Sequence, residues 1–486
     1  MDKADQIAAC SQLRAVGLGD RIIFPSDCRY RDLVAPHWSL TAELTPYCVI
    51  QPETTKEVAK VVSVLSQAKG CLFAVRSGGH TQWPGASNCS GGIVIDLCRM
   101  KNVEYDEDRN IVTVQAGCRW RDVYSKADEY GVTVNGGRMG DVGVGGFLCG
   151  GGISWLLPRY GFGCDMVVNY EVVLANGDII HANHLENADL FLALKGGACN
   201  FGIVTRFYLE AIKGAEVWAG MYICQSSTST QHIKHFVDYI DTIEEKTDTS
   251  YCLLWAWSSE AKDVVLSVMV CNTKGVVEPQ ALSGVMEVPW TSKTVDRRSV
   301  TALALHLESP QPFYNKWLTA TFANDSQILT KIVEFHEKLI EKLKVRIPEN
   351  DFSTVCCVQA LPKLYAERSL KKGGNVMGVE RLGENCFILL LGAHIKVYKD
   401  MEYGFRALQE CYEDIVKDAK SNGVFKEWLY LNYSDMSQNP LPTFGEDNVE
   451  KIRAAALKYD PNGIFQSRCP GGFKISKIPG KDCKET

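Results

Sequence analysis

The sequence predicts an α+β fold built in two parts, on three observations. Residues 45–212 mix helix-period and strand-period patterns with dense glycine. Near residue 213 the glycine density drops, while strands and long amphipathic helices continue. From Glu427 an aromatic-rich texture returns, with Trp428, Leu429, Tyr430, Leu431, Asn432 and Tyr433 in succession. The boundaries this texture suggests are 1–212, an inserted 213–425, a C-terminal 426–475 and a tail, 476–486.

The 486 residues, 46% of them hydrophobic, are enough for more than one core. A net charge of −6 gives no electrostatic reason to expect nucleic acid or an anionic membrane as partner. No apolar stretch approaches the roughly 20 residues of a membrane span. The first 20 residues lack a basic start followed by an apolar core, so the expected location is cytoplasmic. In that compartment the 19 cysteines are expected as reduced, mostly buried thiols. No Cys-x-x-Cys pair occurs, so no metal site is expected.

Taken in order, residues 1–45 carry few periodic signals, and Tyr30, Trp38 and Tyr47 suggest a packed lead-in. Thr54-Thr55-Lys56-Glu57 has capping-box form, and Val58, Val61, Val62 and Leu65 follow at helical spacing before Gly70. Residues 72–75, 93–97 and 111–114 read as strands, and 120–130 as a helix closed by Gly131. Asn176-Gly177 between apolar runs predicts a hairpin over 167–181. Residues 189–194 form a short helix leading to a third glycine-rich turn and a strand. In the insert, 231–245, 327–344 and 401–420 read as helices, and 251–257, 264–270 and 387–391 as strands of a sheet covered on one face. A helix is expected over 446–458, and a frayed polar end from Lys474.

The chain's most informative stretches are two glycine blocks. Val75-Arg76-Ser77-Gly78-Gly79-His80 ends a strand in two glycines and a histidine. Gly143-Val144-Gly145-Gly146-Phe147-Leu148-Cys149-Gly150-Gly151-Gly152 follows later. Such clusters are expected where φ is positive or backbone touches a ligand. A dinucleotide fingerprint fails, because the third glycine of Gly-x-Gly-x-x-Gly falls on Leu148, and residues 153–158 end at Pro158. No Gly-Lys-Ser/Thr supports a P-loop.

Arg76-Ser77-Gly78-Gly79-His80 after a strand resembles the flavin-attachment loop of FAD-linked oxidases with the vanillyl-alcohol-oxidase (PCMH-type) fold. The chain is most similar to the berberine-bridge-enzyme-like family in its fungal form. The matching blocks are 76–80, 143–152, 189–204, 430–435 and 459–465. The resemblance implies a two-part FAD-binding PCMH-type domain made of the N- and C-terminal segments. It also implies an inserted α+β substrate domain whose antiparallel sheet roofs the flavin ring.

The resemblance carries roles onto particular residues. His80 takes the position that bonds covalently to the flavin 8α-methyl. Relatives with a second, cysteinyl link carry it where this chain has Met139, so a single link is expected. In the loop that opens at Arg76, the backbone amides of Ser77, Gly78 and Gly79 would cradle the pyrophosphate as an anion nest, and Thr81 would line the adenine and ring. Val142 stands at the position that gates oxygen, in the oxygen-reactive form. Gly143, Gly146, Gly150, Gly161 and Val204 line the cofactor, and Asn432 approaches the ring from the other end. Phe147 replaces a histidine of plant members. Tyr433 is the first choice of catalytic base and Tyr430 the second. A tyrosine's ordinary pKa near 10 requires a positive neighbour or the reduced flavin to assist. Glu380 lies near a catalytic glutamate of plant relatives, but its local pattern reads as surface.

The implied activity is dehydrogenation of a small, secondary-metabolite substrate by hydride transfer to flavin N5. O2 is the electron acceptor, and ring closure can accompany oxidation. The alternatives are a redox-neutral cyclase with FAD as scaffold and a flavin-binding protein without turnover.

Overall fold

The computed structural model describes residues 3–35, 38–214, 216–307 and 313–479. The α+β fold class holds, with three main sheets and helices segregated around them. A four-stranded sheet has the order Ile22–Ile23, Cys48–Ile50, Ile93–Asp96, Phe73–Arg76. Its last three strands run parallel. They are short and largely buried, apolar except for the paired ends Arg76 and Asp96, and the helix Thr55–Gln67 makes the crossover from Cys48–Ile50 to Phe73–Arg76. Thr54 Oγ1 accepts from the amide of Glu57, capping that helix as the sequence predicts.

A second, antiparallel sheet has the order Val103–Asp106, Ile111–Gln115, Ile203–Glu210, Val167–Val173, Ile179–Asn183. The last two strands are the Asn-Gly hairpin, with Gly177 at φ +91°.

The third sheet is nine-stranded and antiparallel. Its order is Ser292–Lys293, Glu216–Gln225, Val264–Asn272, Thr249–Trp257, Phe352–Leu361, Cys386–Ile395, Tyr314–Ala323, Phe425–Lys426, with Asp296–Ser299 pairing Glu216–Gln225. The helices Ser229–Asp241, Ser326–Lys344 and Tyr398–Ser421 pack against one face. The Tyr251 hydroxyl donates to the His232 carbonyl, so Tyr251 points to the helices. By strand alternation Cys252 then points the other way. Register places Gln359 opposite Cys252, Trp317 opposite Gly392, and His394 opposite Asn315. These side chains share the face away from the helices, because directly paired residues lie on one side.

One expectation needs correction, and two helices go beyond what the sequence showed. Residues 1–45 are a packed lead-in, and within it Lys3–Ala15 is a helix that buries Ala9, Cys10 and Leu13. Its other positions are so polar that the stripe hardly registers in the sequence. The second glycine block is not all loop, because Val144–Cys149 forms a helix inside it. The chain end is not frayed at Lys474. That residue is 2% exposed, and Ile475 and Ile478 are buried after it. Residues 480–486 lie outside the described part. The described cysteines are free thiols, most of them buried.

Candidate active site

The two glycine blocks meet backbone to backbone. A Cβ on Gly78 would stand 2.4 Å from Gly143 Cα, so no larger residue fits there. Ser77 Oγ donates to the Ala116 carbonyl at 2.6 Å and accepts from the Gly145 amide at 3.2 Å. Arg119 holds both loops, donating to the carbonyl of Asp141 and, at 2.8 Å, to that of Gly78. Arg76 forms a buried ion pair with Asp96 at 2.9 Å, so its guanidinium braces the sheet under the loop. Thr81 Oγ1 accepts from the Trp83 amide and shapes the loop's exit.

His80 lies at the end of this loop. Its ring stacks on Trp38, with centroids 4.7 Å apart and planes 22° apart. Nε2 is 4.0 Å from Asp141 Oδ2. His80 Nε2 and Asp141 Oδ1 are buried without a hydrogen-bond partner among the described residues. Burial, reinforced by Arg119, depresses the His80 pKa to about 3, so the imidazole is neutral. Burial pushes the Asp141 carboxyl up, against the pull of Arg119.

The C-terminal segment reaches this region from the other side. The Tyr430 hydroxyl oxygen accepts from the amides of Gly152 and Ile153 at 3.0 Å and from Asn432 Nδ2 at 3.1 Å. Asn432 Nδ2 also donates to the Phe147 carbonyl, and a Cβ on Gly150 would stand 2.0 Å from Asn432 Oδ1. Tyr430 and Asn432 therefore clamp the glycine block. Burial pushes the Tyr430 hydroxyl pKa up, against the pull of these three donors.

Tyr433 has different surroundings. Its hydroxyl accepts from Arg138 Nη2 at 2.7 Å, and Gln359 Nε2 lies 3.2 Å away. Arg138 also donates to Gln359 Oε1 at 2.5 Å, contacts Cys252 Sγ at 3.3 Å and lies over the Trp155 ring at 5.3 Å. Among the described residues no carboxylate lies within ion-pair distance of Arg138. Burial raises the Tyr433 pKa, and the Arg138 charge opposes that rise. Trp317 stands edge-on to both Tyr433 and Trp38, at 6.0 and 4.3 Å between centroids.

The remaining expected positions are spread along the same two blocks and the adjacent sheet. Gly79 and Gly161 have positive φ, +67° and +82°. Val142 is half-buried and its carbonyl accepts from Trp120. Val204 lies in Ile203–Glu210 beside Val172. A Cβ on Gly146 would meet no atom within 4 Å. Glu380 is exposed, as its sequence context suggests.

Sequence reading missed Arg138, Gln359, Asp141, Arg119 and Trp317. Gln359 did leave a signal, as a lone amide inside the apolar run 355–361. Arg138 closes Asn135-Gly136-Gly137-Arg138 just before the second block, a weaker cue.

The residues present fit FAD. Glycine backbone lies open to close approach at Gly146, and a buried, neutral imidazole stands at the loop end. Comparison with known proteins agrees. A family profile described as an FAD binding domain matches residues 46–183. The FAD-dependent monooxygenase drtC of Aspergillus calidoustus is 33% identical, over 98% of this chain and 92% of its own. Among solved structures, 6-hydroxy-D-nicotine oxidase from Arthrobacter nicotinovorans superposes with a TM-score of 0.77 at 22% identity, covering 91% and 96% of the two chains. Glucooligosaccharide oxidase from Acremonium strictum gives 0.75 at 18% identity over 94% and 97%, and its FAD is described as 6-S-cysteinyl, 8α-N1-histidyl. The fold and site thus define an FAD-dependent oxidoreductase. The chain belongs to the family of the fungal FAD-dependent monooxygenases, carries a PCMH-type FAD-binding domain, and shares the fold of the FAD oxidases it superposes on.

No helix among the described residues is long and apolar enough to cross a membrane, and no cluster of three metal-ligating side chains occurs there.

Proposed function

We propose that this enzyme is an oxidase that dehydrogenates a small secondary-metabolite substrate, with Tyr433 as the proton acceptor. FAD, when bound, supplies a two-electron acceptor that takes hydride at N5 and passes the electrons to O2 as H2O2. The observation that carries the reading is the 2.7 Å contact between Arg138 and the Tyr433 hydroxyl. A tyrosine removes a substrate O–H or N–H proton only if its phenolate is stabilised. A guanidinium without a carboxylate partner does that directly. Gln359 orients the hydroxyl, and Trp317 walls one side. His80 would hold FAD covalently, as its only tether, since Met139 cannot form a thioether link of the cysteinyl kind. The segments 1–212 and 426–475 would form the FAD-binding part, and 213–425 the substrate part.

The test is anaerobic mixing of the holoenzyme with candidate substrates, following bleaching of the flavin band, then O2 addition and a peroxide assay. Bleaching followed by about one H2O2 per flavin supports the oxidase. Product formation with no bleaching and no peroxide overturns it in favour of a redox-neutral reaction. Flavin partition after acid precipitation tests the link: colour in the pellet supports it, and colour in the supernatant overturns it.

A further inference from the structure

At the end of the first glycine loop, the neighbouring side chains of His80 and Asp141 each leave one buried atom, Nε2 and Oδ1, without a hydrogen-bond partner among the described residues. His80 Nε2 and Asp141 Oδ2 are 4.0 Å apart, and Asp141 Oδ1 has no partner. A carboxylate held there for structural reasons would have its oxygens hydrogen-bonded. Here Oδ1 is left without a partner while the backbone of Asp141 is fixed. Arg119 binds the Asp141 carbonyl and the Gly78 carbonyl, locking the carboxylate's loop to the histidine's loop. Trp38, stacked on the imidazole, fixes the ring plane.

We infer that Asp141 takes the Nε2 proton of His80 as the bond between His80 and FAD forms, making it the base for this enzyme's own cofactor attachment. The inference rests on the covalent reading above. An imidazole has two distinct nitrogens, and the proton on one sets the lone pair on the other. With the proton on Nε2, Nδ1 is the nucleophile. Bond formation at Nδ1 leaves an imidazolium unless the Nε2 proton departs.

One C–H bond of the 8α-methyl breaks, and an Nδ1–C bond forms. The electron pair of the broken bond stays on the ring system, which becomes two-electron reduced. The methyl proton and the proton relayed by Asp141 accompany that pair. O2 then accepts the pair and both protons, leaving as H2O2 and restoring oxidised FAD. A carboxylate whose proton affinity burial has raised is better matched to accept from an imidazole. Burial, with Arg119 near the ring, keeps the imidazole neutral before the reaction.

The test compares wild type with D141N, D141E, D141A and H80A, each as purified holoenzyme. Two readouts are used: flavin in the acid pellet, and intact mass for the addition of FAD less two hydrogens. Native flavin absorbance before precipitation confirms that cofactor is bound. Wild type is expected to be covalent, and H80A never covalent. D141N is expected to bind FAD but to attach it about 10²-fold more slowly, the usual worth of a positioned base. D141E restores attachment, and formate added to D141A accelerates it. Should D141N hold no flavin, the D141A series with formate decides. Wild-type attachment rates in D141N, or in D141A without formate, overturn the role of Asp141 and leave the His80 link standing. Release of all flavin from acid-treated wild type overturns both.

Discussion

At the scale of single residues, two tyrosines three positions apart differ sharply in what surrounds them. Tyr430 is a clamp whose oxygen holds three donors, while the Tyr433 hydroxyl meets a guanidinium. Tyr433→Phe is expected to slow anaerobic flavin reduction about 10²- to 10⁴-fold while FAD remains bound. Arg138→Met should move the same rate in the same direction, and Arg138→Lys should recover part of it, in stopped-flow measurements. Tyr430→Phe is expected to act on stability instead. Two buried amides lose their acceptor, at a cost of about 1–3 kcal/mol each in urea unfolding. Tyr433 and His80 were legible because each ends a contiguous motif. Arg138 and Gln359 were not, because they lie 295 and 74 residues from Tyr433 in the chain.

At the scale of elements, the closest approach of the two glycine blocks is Gly78 against Gly143. Gly78→Ala would force backbone atoms apart, because the added carbon has no side-chain end to push aside. The flavin-to-protein absorbance ratio of the purified variant is expected to fall well below that of wild type. Retention of a full complement of flavin would remove the loop contact from the account. The helix Val144–Cys149 escaped sequence reading because glycine disfavours helix interiors. What overrides propensity is tertiary: Gly145 is fixed by Ser77, and Val144 and Leu148 are buried. The helix Lys3–Ala15 was missed for the opposite reason, since its buried stripe is too narrow to stand out from its polar positions.

At the scale of the whole molecule, the C-terminal segment is stitched to residues near the start. The Arg468 carbonyl accepts from the Phe73 amide at 2.8 Å, and the Arg468 guanidinium binds the Cys71 carbonyl. Asn200 Oδ1 accepts from Ile475 N, and its Nδ2 donates to the Phe473 carbonyl. A chain ending after residue 426 would lose these partners together with Tyr430, Asn432 and Tyr433. It is expected to be recovered without flavin.

Three buried histidines away from His80 set the response to acid. Burial lowers His336 to about 3 and His232 and His394 to about 4. The ordinary value is about 6.5, so below it the unfolded chain binds more protons than the folded one. Stability is fully present above about pH 6.5 and is lost as pH falls toward about 4, at roughly 1.4 kcal/mol per pH unit for each histidine. The urea midpoint should therefore drop between about pH 7 and about pH 5. His336→Gln, which keeps a polar group near Thr354 without a titrating ring, should make that drop shallower.

What the sequence determined by itself was whatever is local: the strand-then-glycine loop ending in His80, the Asn-Gly hairpin, the amphipathic helices, and the two changes of texture along the chain. Each is set by neighbours within a turn or a strand, where period and conformational freedom act directly. Only the tertiary structure decided which polar groups meet. The pairing of Arg138 with Tyr433, the facing of Asp141 and His80, and the tie of Arg119 to both loops depend on separate segments converging. A buried charge or an unsatisfied nitrogen takes its meaning from what stands opposite it, and no spacing along the chain encodes that.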